Sequence, residues 1–378
     1  MDFSFTEEQT LLRDTVASYL ADHYDFEKRR AAVKSASGWR PEVWKAFAEE
    51  LGILGASFAE ELGGLGGGAT ENMVIMEEFG KALVVEPYLG TVVIGGGFLK
   101  HGKPAGGDEL AGKIIAGEAT VAFAYAEPQA RYNLADLKTT ARKDGGGWVL
   151  NGAKAVVIGA PWASHLIVTA RTGGAQRDAG GVSVFLVEKS AKGVTTRDYP
   201  TVDGQRASEV TFENVSLPAS ALIGGEGAGL PLVETVVDEA IAATCAEACG
   251  VLRKLHEGTL EYTKQRKQFG QPIAQFQAIK HAIARMGTEI EPSRGMWWVA
   301  AHALDRGHAD ASRQASIAKA HVTDRAMETA RQSVELHGGY GFTWECEVQM
   351  WFKRIMFDRS ALGTPEQHRE RQARLGGW

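Results

Sequence analysis

Cysteine is scarce, with Cys245, Cys249 and Cys346 the only three in 378 residues. They make neither a disulfide framework nor a ligand set with spaced histidines, which excludes a stapled scaffold, and no metal is expected. Cys245 and Cys249 stand four apart in an Ala-rich helical run and read as small buried hydrophobes, the pattern of a reducing cytoplasm. Positive charge is not in excess either. The chain has 41 Lys+Arg against 47 Asp+Glu, a formal net charge of -6, so no nucleic acid is expected as a partner. Long hydrophobic runs are missing: the most apolar window, residues 83–99, is broken by Glu86, Pro87 and three glycines from Gly95, so no membrane span is expected. The N-terminal MDFSFTEEQTLL carries acids where a signal peptide needs bases. Tandem repeats and heptad arrays are absent too.

What remains is an ordinary globular composition, long enough for two or three packed subdomains. Residues up to about 118 read as helices. Thr6 and Gln9 form a capping box before a stripe of Leu12, Val16, Tyr19 and Leu20. Pro41 starts a helix carrying Val43, Trp44, Phe47 and Leu51. The glycine-rich run GGLGGGA (63–69) contains G-x-G-x-x-A, but a dinucleotide fingerprint requires a preceding strand, and here helix and a polar loop come before it. An interhelical loop is the expectation. From Thr120 short β-rich runs take over, separated by Gly and Asp clusters, and Asn151-Gly152 reads as a two-residue hairpin turn between WVL and AKAVVI. An antiparallel β domain ending near Gly225 is expected. From Gly229 the period is helical again. Leu232, Val236, Val237, Ala240 and Ala243 share one face, and segments 273–305, 312–336 and 348–359 complete a bundle, with Pro292 interrupting the first.

Two short stretches carry chemistry. YTKQRKQFGQPI (262–273) holds Arg266, Gln268 and Phe269 ahead of Gly270 and Pro272, a pair that stops one helix and starts another. A guanidinium fork, an amide and a ring at one corner suit a planar ligand bearing phosphate. HGGYGF (337–342) lies downstream.

Together with the order helices, β domain, helices, these two motifs resemble the acyl-CoA dehydrogenases over essentially the whole chain. The resemblance implies an α+β fold: an N-terminal all-α domain (1–118), a middle antiparallel β domain (119–225) and a C-terminal four-helix bundle (226–378). YDFEKRR, EEFGKALVVEPYL, GGGWVLNGAKAVV and VVDEAIAATCAEA are worded most like small subunits of pimeloyl-CoA dehydrogenases. The resemblance further implies FAD as cofactor, an acyl-CoA thioester as substrate, with pimeloyl-CoA or another dicarboxyl-CoA following from the closer wording, and an electron-transfer flavoprotein as electron acceptor. In the family a carboxylate removes the α-proton while the β-hydride goes to the flavin. By match with the R-x-x-F-G motif, Arg266 and Phe269, with Gln268 between, contact the diphosphate and adenine half of FAD. By match with Q-x-x-G-G-x-G, the glycine loop with Glu335, His337, Gly338, Gly339 and Gly341 approaches the diphosphate. Glu335 replaces the usual Gln and would repel a diphosphate unless protonated or turned away; His337 could compensate as a donor or be a plain helix-end histidine.

Other positions depart from the family. The usual catalytic Glu of Y-E-G-T aligns with Leu362. The alternative position on the long helix aligns with Ala240, beside Glu239, which serves as base only if the register differs, since one step is a rotation of about 100°. An Arg common near the acyl-CoA aligns with Ile241, and Asp358 is a weaker candidate base that reads rather as a salt-bridge partner of a nearby Lys or Arg. The T-E-P-x-A-G-S-D turn appears as AEPQARYN, with Ala126 and Tyr132 in place of hydroxyl donors, and the W-I-T strand reads Val156, Val157, Ile158. Groups that hold a flavin ring within the subunit are missing, while those that reach a neighbour's FAD remain. A heterotetramer is therefore expected, in which a homologous large subunit supplies the base. A self-sufficient homotetramer using Glu239 and a flavin-free scaffold are the alternatives.

Overall fold

The computed structural model describes residues 4–378. Its elements run α1 (Glu7–His23), α2 (Phe26–Lys34), α3 (Pro41–Glu49), α4 (Ala69–Ala82), α5 (Gly96–Gly102) and α6 (Gly107–Ile115). Strands follow: β1 (Val121–Ala124), β2 (Thr140–Asp144), β3 (Gly147–Ile158), β4 (His165–Arg171), β5 (Val182–Glu188), β6 (Val194–Pro200), β7 (Arg206–Leu217) and β8 (Leu222–Ile223). The chain ends with α7 (Gly229–Gln265), a small hairpin of β9 (Lys267–Gln268) and β10 (Gln271–Pro272), then α8 (Gln277–Thr288), α9 (Ile290–Asp305), α10 (Ala311–His337), α11 (Val348–Ser360) and α12 (Pro365–Leu375). The expected order of helices, β domain and helices is present. Among the described residues no helix is long and apolar enough to cross a membrane.

Contacts divide the chain into two compact units. One comprises residues up to Arg30, Ala69–Val84 and Ile241–Trp378; the other comprises Ala31–Gly68 and Val85–Ala240.

In the first unit, several local signals act as the sequence implies. Thr6 and Gln9 make a reciprocal capping box on α1, and Val16 and Leu20 are buried beneath it. The break between α8 and α9 falls just before Pro292, which occupies the first turn of α9, where a missing N–H costs least. The ends of α4 are closed by distant side chains. At its start the Asp305 carboxylate accepts from the amides of Ala69 (2.6 Å) and Thr70 (3.0 Å), an anion on the positive end of the helix dipole. At its end buried donors meet the orphan carbonyls: Arg29 Nε donates to Leu83 O (2.6 Å), Arg354 donates to Val84 O (3.2 Å), and Trp351 Nε1 donates to Gly80 O (3.2 Å). Arg354 also pairs with the buried Glu247 of α7.

The same two helices touch backbone to backbone. A Cβ on Gly80 would lie 2.0 Å from Glu247 O, and one on Gly250 would lie 1.9 Å from Glu77 O, so neither position admits any side chain. Cys245 and Cys249, on the same stretch of α7, are buried, and burial pushes the Cys245 thiol up to about 12.

In the second unit, Pro41 opens α3 at its first turn, and Val43, Trp44 and Phe47 are buried, while Leu51 falls beyond the helix. The sheet has the order β6-β7-β3-β2-β4-β5-β8, with β1 beside β4. Its core includes Trp148, Leu150, Phe185, Val187, Val210 and Phe212. Most pairs are antiparallel, but β1–β4 and β2–β4 are parallel. The long connections between these strands permit that arrangement, which no tight turn could make.

The expected Asn151-Gly152 hairpin is not formed. Both residues lie inside the continuous strand β3, at a register shift against β7 between Leu150 and Gly152. The Asn151 side chain accepts from Asn214 N (2.8 Å), and a Cβ at Gly152 would fall 2.6 Å from Thr139 Cα, so the glycine serves a close backbone approach at a bulge. The two-residue turn sits instead at Gly145-Gly146, between β2 and β3, with φ of 55° and 88°. The GGLGGGA run precedes α4 with no strand before it, consistent with a loop.

Substituting Gly250→Ala should lower unfolding free energy by at least about 2 kcal/mol, because the helices must separate. Gly258→Ala, on the exposed face of the same helix with nothing within 4 Å, should be neutral or stabilising. Chemical denaturation of the two variants checks the contrast; equal effects would contradict it.

Candidate functional site

Helix α7 releases the chain at Gln265, and the Arg266 amide still donates to Tyr262 O (2.9 Å). The next residues do not restart a helix at once, as Gly270 and Pro272 had implied. They form the β9–β10 hairpin, closed by Ile273 N to Arg266 O (2.8 Å), with Phe269 (φ 53°) and Gly270 (φ 81°) at its tip. Two successive positive φ angles are what a type I′ turn demands. Phe269 is thereby 91% exposed and packs edge-on against Phe276.

Helix α10 ends alongside. Gly338 takes φ 62°, ψ −145° and returns its N–H to Glu335 O, and a short 3₁₀ turn (Gly338–Phe342) follows. Between the two helix ends lies a pocket of about 550 Å³ lined by Tyr262, Arg266, Gln268, Glu335, His337 and Gly339, among others. Its wall is aromatic: Tyr262 stacks on His337 at 4.0 Å and lies 6.1 Å from Tyr340. Of the residues expected from the two motifs, Arg266, Gln268, Glu335, His337, Gly338 and Gly339 line this pocket. Phe269 stands at the hairpin tip outside the lining. Gly341 packs under α10, where a Cβ would meet Val334 O at 2.6 Å.

The two tyrosines, inside the quoted stretches, were the residues sequence reasoning passed over. His337 also differs from expectation. Its Nδ1 lies 2.7 Å from Ser333 O, so Nδ1 carries the proton and donates, and burial holds the ring below the usual imidazole pKa, hence neutral. The ring nitrogen left over, Nε2, is an acceptor and cannot serve as the compensating donor.

Three family models match successive stretches of the chain: "Acyl-CoA dehydrogenase, N-terminal domain" over residues 6–118, the middle domain over 122–215 and the C-terminal domain over 227–376. The chain belongs to the acyl-CoA dehydrogenase family. It is 30% identical to the probable acyl-CoA dehydrogenase YngJ of Bacillus subtilis, over 97% of each chain. Among solved structures it is similar to the FAD complex of PigA (26% identical, TM-score 0.92, covering 100% of this chain and 99% of that one). It is also similar to the Tcur3481-Tcur3483 steroid ACAD (27% identical, TM-score 0.89, 98% of each).

The positions that depart from the acyl-CoA dehydrogenase pattern have clear structural settings. Leu362 lies in a turn with φ 57°, unusual for a branched aliphatic residue. That turn is braced from three sides: buried Lys319 donates to Ala361 O (2.7 Å), His368 Nε2 contacts Leu362 O (3.0 Å), and Thr364 with Gln367 makes a capping box on α12. The backbone of this turn is thus held in place, and the Leu362 side chain on it cannot take a proton. Lys319 also donates to the backbone O of Asp358, so this lysine caps α11. Glu239 is committed elsewhere. Its Oε1 lies 2.8 Å from His101 Nε2, and Oε2 rests over Gly97. Val156 is an exposed residue with φ 52° at a second register shift in β3, and its amide points to Glu209 Oε1 (3.4 Å).

The AEPQARYN turn has become a structural lock. Glu127 is buried and accepts from Lys154 Nζ (2.8 Å), Lys138 N (2.7 Å), Thr139 N (3.1 Å) and Gln129 Nε2 (2.8 Å). Burial alone would raise its pKa, but the Lys154 charge and these donors prevail and carry it down to about 2. Burial takes Lys154 down to about 8 against the attraction of Glu127, so the pair is ionised at neutral pH. A lone Lys inside the apolar strand AKAVVI was the signal for this lock.

Because the folded pKa of Glu127 lies below its unfolded value, its stabilisation is complete above about pH 4.5 and disappears as pH falls through about 2. Lys154→Met leaves a buried carboxylate unpaired and should cost roughly 3–5 kcal/mol at pH 7. Melting curves should show a smaller deficit near pH 4, where Glu127 in the variant is protonated, and rescue by adding Glu127→Gln. A deficit independent of pH would contradict this account.

Proposed function

We propose that this chain is the non-catalytic subunit of an FAD-dependent acyl-CoA dehydrogenase, and that it completes the adenine side of the FAD site of a homologous large subunit in a heterotetramer with two chains of each kind. The observation that carries the proposal is an asymmetry. The outward-facing R-x-x-F-G stretch is intact: Arg266 has no ion pair among the described residues, Phe269 is exposed, and the pocket beside them is walled by Tyr262 and His337. The inward-facing flavin and base positions carry Ala126, Val156 and Leu362, which offer no side-chain donor and no base.

Exposed Phe269 supports the reading independently. A left-handed φ at a non-glycine residue costs about 1–2 kcal/mol, and an exposed ring gives little stability in return. Its ring is placed to pack on something beyond the chain. The paired designation Tcur3481-Tcur3483 suits a two-chain enzyme of this kind, and the FAD complex of PigA suits the cofactor.

When bound, FAD supplies the hydride acceptor for α,β-dehydrogenation of an acyl-CoA, with electrons passing on to an electron-transfer flavoprotein. The residues present here fit its adenine side and do not fit its isoalloxazine ring. Arg266 would pair with phosphate oxygens and Phe269 would cover a ring face. The wording shared with small subunits of pimeloyl-CoA dehydrogenases points to a dicarboxyl-CoA as the substrate of the assembly. The domain limits proposed are 1–118, 119–225 and 226–378. A self-sufficient enzyme using Glu239 would first have to break the pair with His101.

Coexpression with a homologue carrying Glu where this chain has Leu362 should give a flavin-bearing, active complex. In it, Arg266→Ala should cut FAD content about tenfold. Phe269→Asn should also cut it while raising this chain's own stability by about 0.5–1 kcal/mol, since Asn tolerates the left-handed turn. FAD content unchanged by Arg266→Ala would favour a flavin-free scaffold.

A further inference from the structure

Helix α8 follows the β9–β10 hairpin and supports it. Phe276 stands immediately before its first turn, and the Phe276 ring meets Phe269 edge-on at 6.1 Å. At the far end α8 stops at Thr288, and Glu289 closes it and opens α9 in a single residue, with no side-chain cap on the new helix. Two half-buried histidines from different helices bear on this joint. His256 of α7 stands against the backbone of Gly287, where a Cβ would lie 3.0 Å from His256 Nε2. His321 of α10 turns Nε2 inward, buried and with no hydrogen-bond partner among the described residues, 3.8 Å from Glu289 Oε2.

Burial disfavours a proton on either ring. For His256 it outweighs the Ile283 backbone and Glu257, which favour the proton, while Arg253 opposes it. For His321 burial outweighs Glu289 and Asp324, and Arg325 opposes the proton. Both rings are therefore held below the ordinary imidazole value of 6.5. The packed elements offer little to offset a new charge. Asp324 is already shared between Arg359 and Arg369, Glu291 of α9 is engaged by Arg253, and Arg294 of α9 faces Glu77. Helix α8 itself carries Lys280, His281 and Arg285 and no acid.

We infer that the α8–α9 joint is an acid-sensitive hinge: protonation of His256 and His321 displaces Gly287 and Glu289, loosening α8 and the hairpin that carries Arg266 and Phe269. The two rings act in opposite senses on residues either side of Thr288. A charged His256 needs hydration that its packing on Gly287 denies, so it drives α8 away. A charged His321 draws the Glu289 carboxylate across the 3.8 Å gap. Above about pH 6.5 both rings are neutral in the packed and the loosened states alike, and the joint carries no penalty. As pH falls below that value, the loosened state takes up protons that the packed state refuses, and the packed joint is progressively destabilised. The hinge stands on these contacts alone; its consequence for flavin retention rests on the subunit reading proposed above.

Hydrogen exchange of the full chain, followed by mass spectrometry at about pH 7.5 and about pH 5.5 and corrected for the intrinsic amide rate, reads the hinge directly. Protection of residues 277–288 should fall about tenfold at the lower pH, with α4 unchanged. Combining His256→Gln with His321→Gln should hold that protection constant, and circular dichroism verifies that the variant folds. Where the pair does not fold, each single variant should remove part of the fall. Protection of α8 that ignores pH in wild type, or that falls as far in the variants, would overturn the inference. In the coexpressed complex, FAD content should drop in step with α8 protection in wild type and not in the variants. FAD retained at the lower pH while α8 loosens would overturn the link from hinge to hairpin. The subunit proposal fails separately, on FAD content indifferent to Arg266→Ala at neutral pH, whatever the exchange shows.

Discussion

Backbone contact between α4 and α7 at Gly80 and Gly250 is the constraint from which the placement of the site follows. Helices that approach this closely cannot slide or rotate without a clash, so α7 is fixed along its axis. Side chains at the end of α4 reinforce the fit: Arg354 spans from Val84 O to Glu247 on α7, and Arg29 closes Leu83 O. From that anchor α7 runs as a rigid rod for about four more turns to Gln265 and delivers Arg266 beside the end of α10. The pocket is therefore set by helix geometry, and its exposed hairpin is a short appendage on a stiff support.

Electrostatics then decides what that support can do. Two helix C-termini and Glu335 make the pocket acceptor-rich, and Arg266 is its single cation. Elsewhere in the chain, ionisable side chains are committed to structural pairs. Glu127 and Lys154 lock the turn after β1, Lys319 and His368 brace the turn bearing Leu362, and His101 engages Glu239. Each of these groups has a partner within the fold, whereas Arg266 and Phe269 are exposed.

Signals confined to a few neighbouring residues were legible in the sequence. The Thr6–Gln9 box, Pro41 at a helix start and Pro292 near a helix break behave as local chemistry dictates. The order of helical and β regions follows from the change in period. Glycines were harder, because sequence does not say whether a glycine supplies a turn or makes room. Asn151-Gly152 resembles a turn, yet Gly152 is there for Thr139, a residue brought close only by the folded sheet. Gly270 serves a hairpin where a helix stop was expected. In the site, the motifs located Arg266 and the glycine turn, but the direction of the His337 proton depends on Ser333 and on burial, and neither is visible before the chain folds.

The central claim is that this chain completes a flavin site belonging to another chain. The flavin-to-protein ratio of the purified protein, read from its absorbance alone and in complex with a homologue carrying the catalytic Glu, tests it most directly. The account predicts a colourless chain alone and one FAD per pair of unlike chains in the complex. One FAD per chain in a yellow, active assembly of this chain by itself would contradict it.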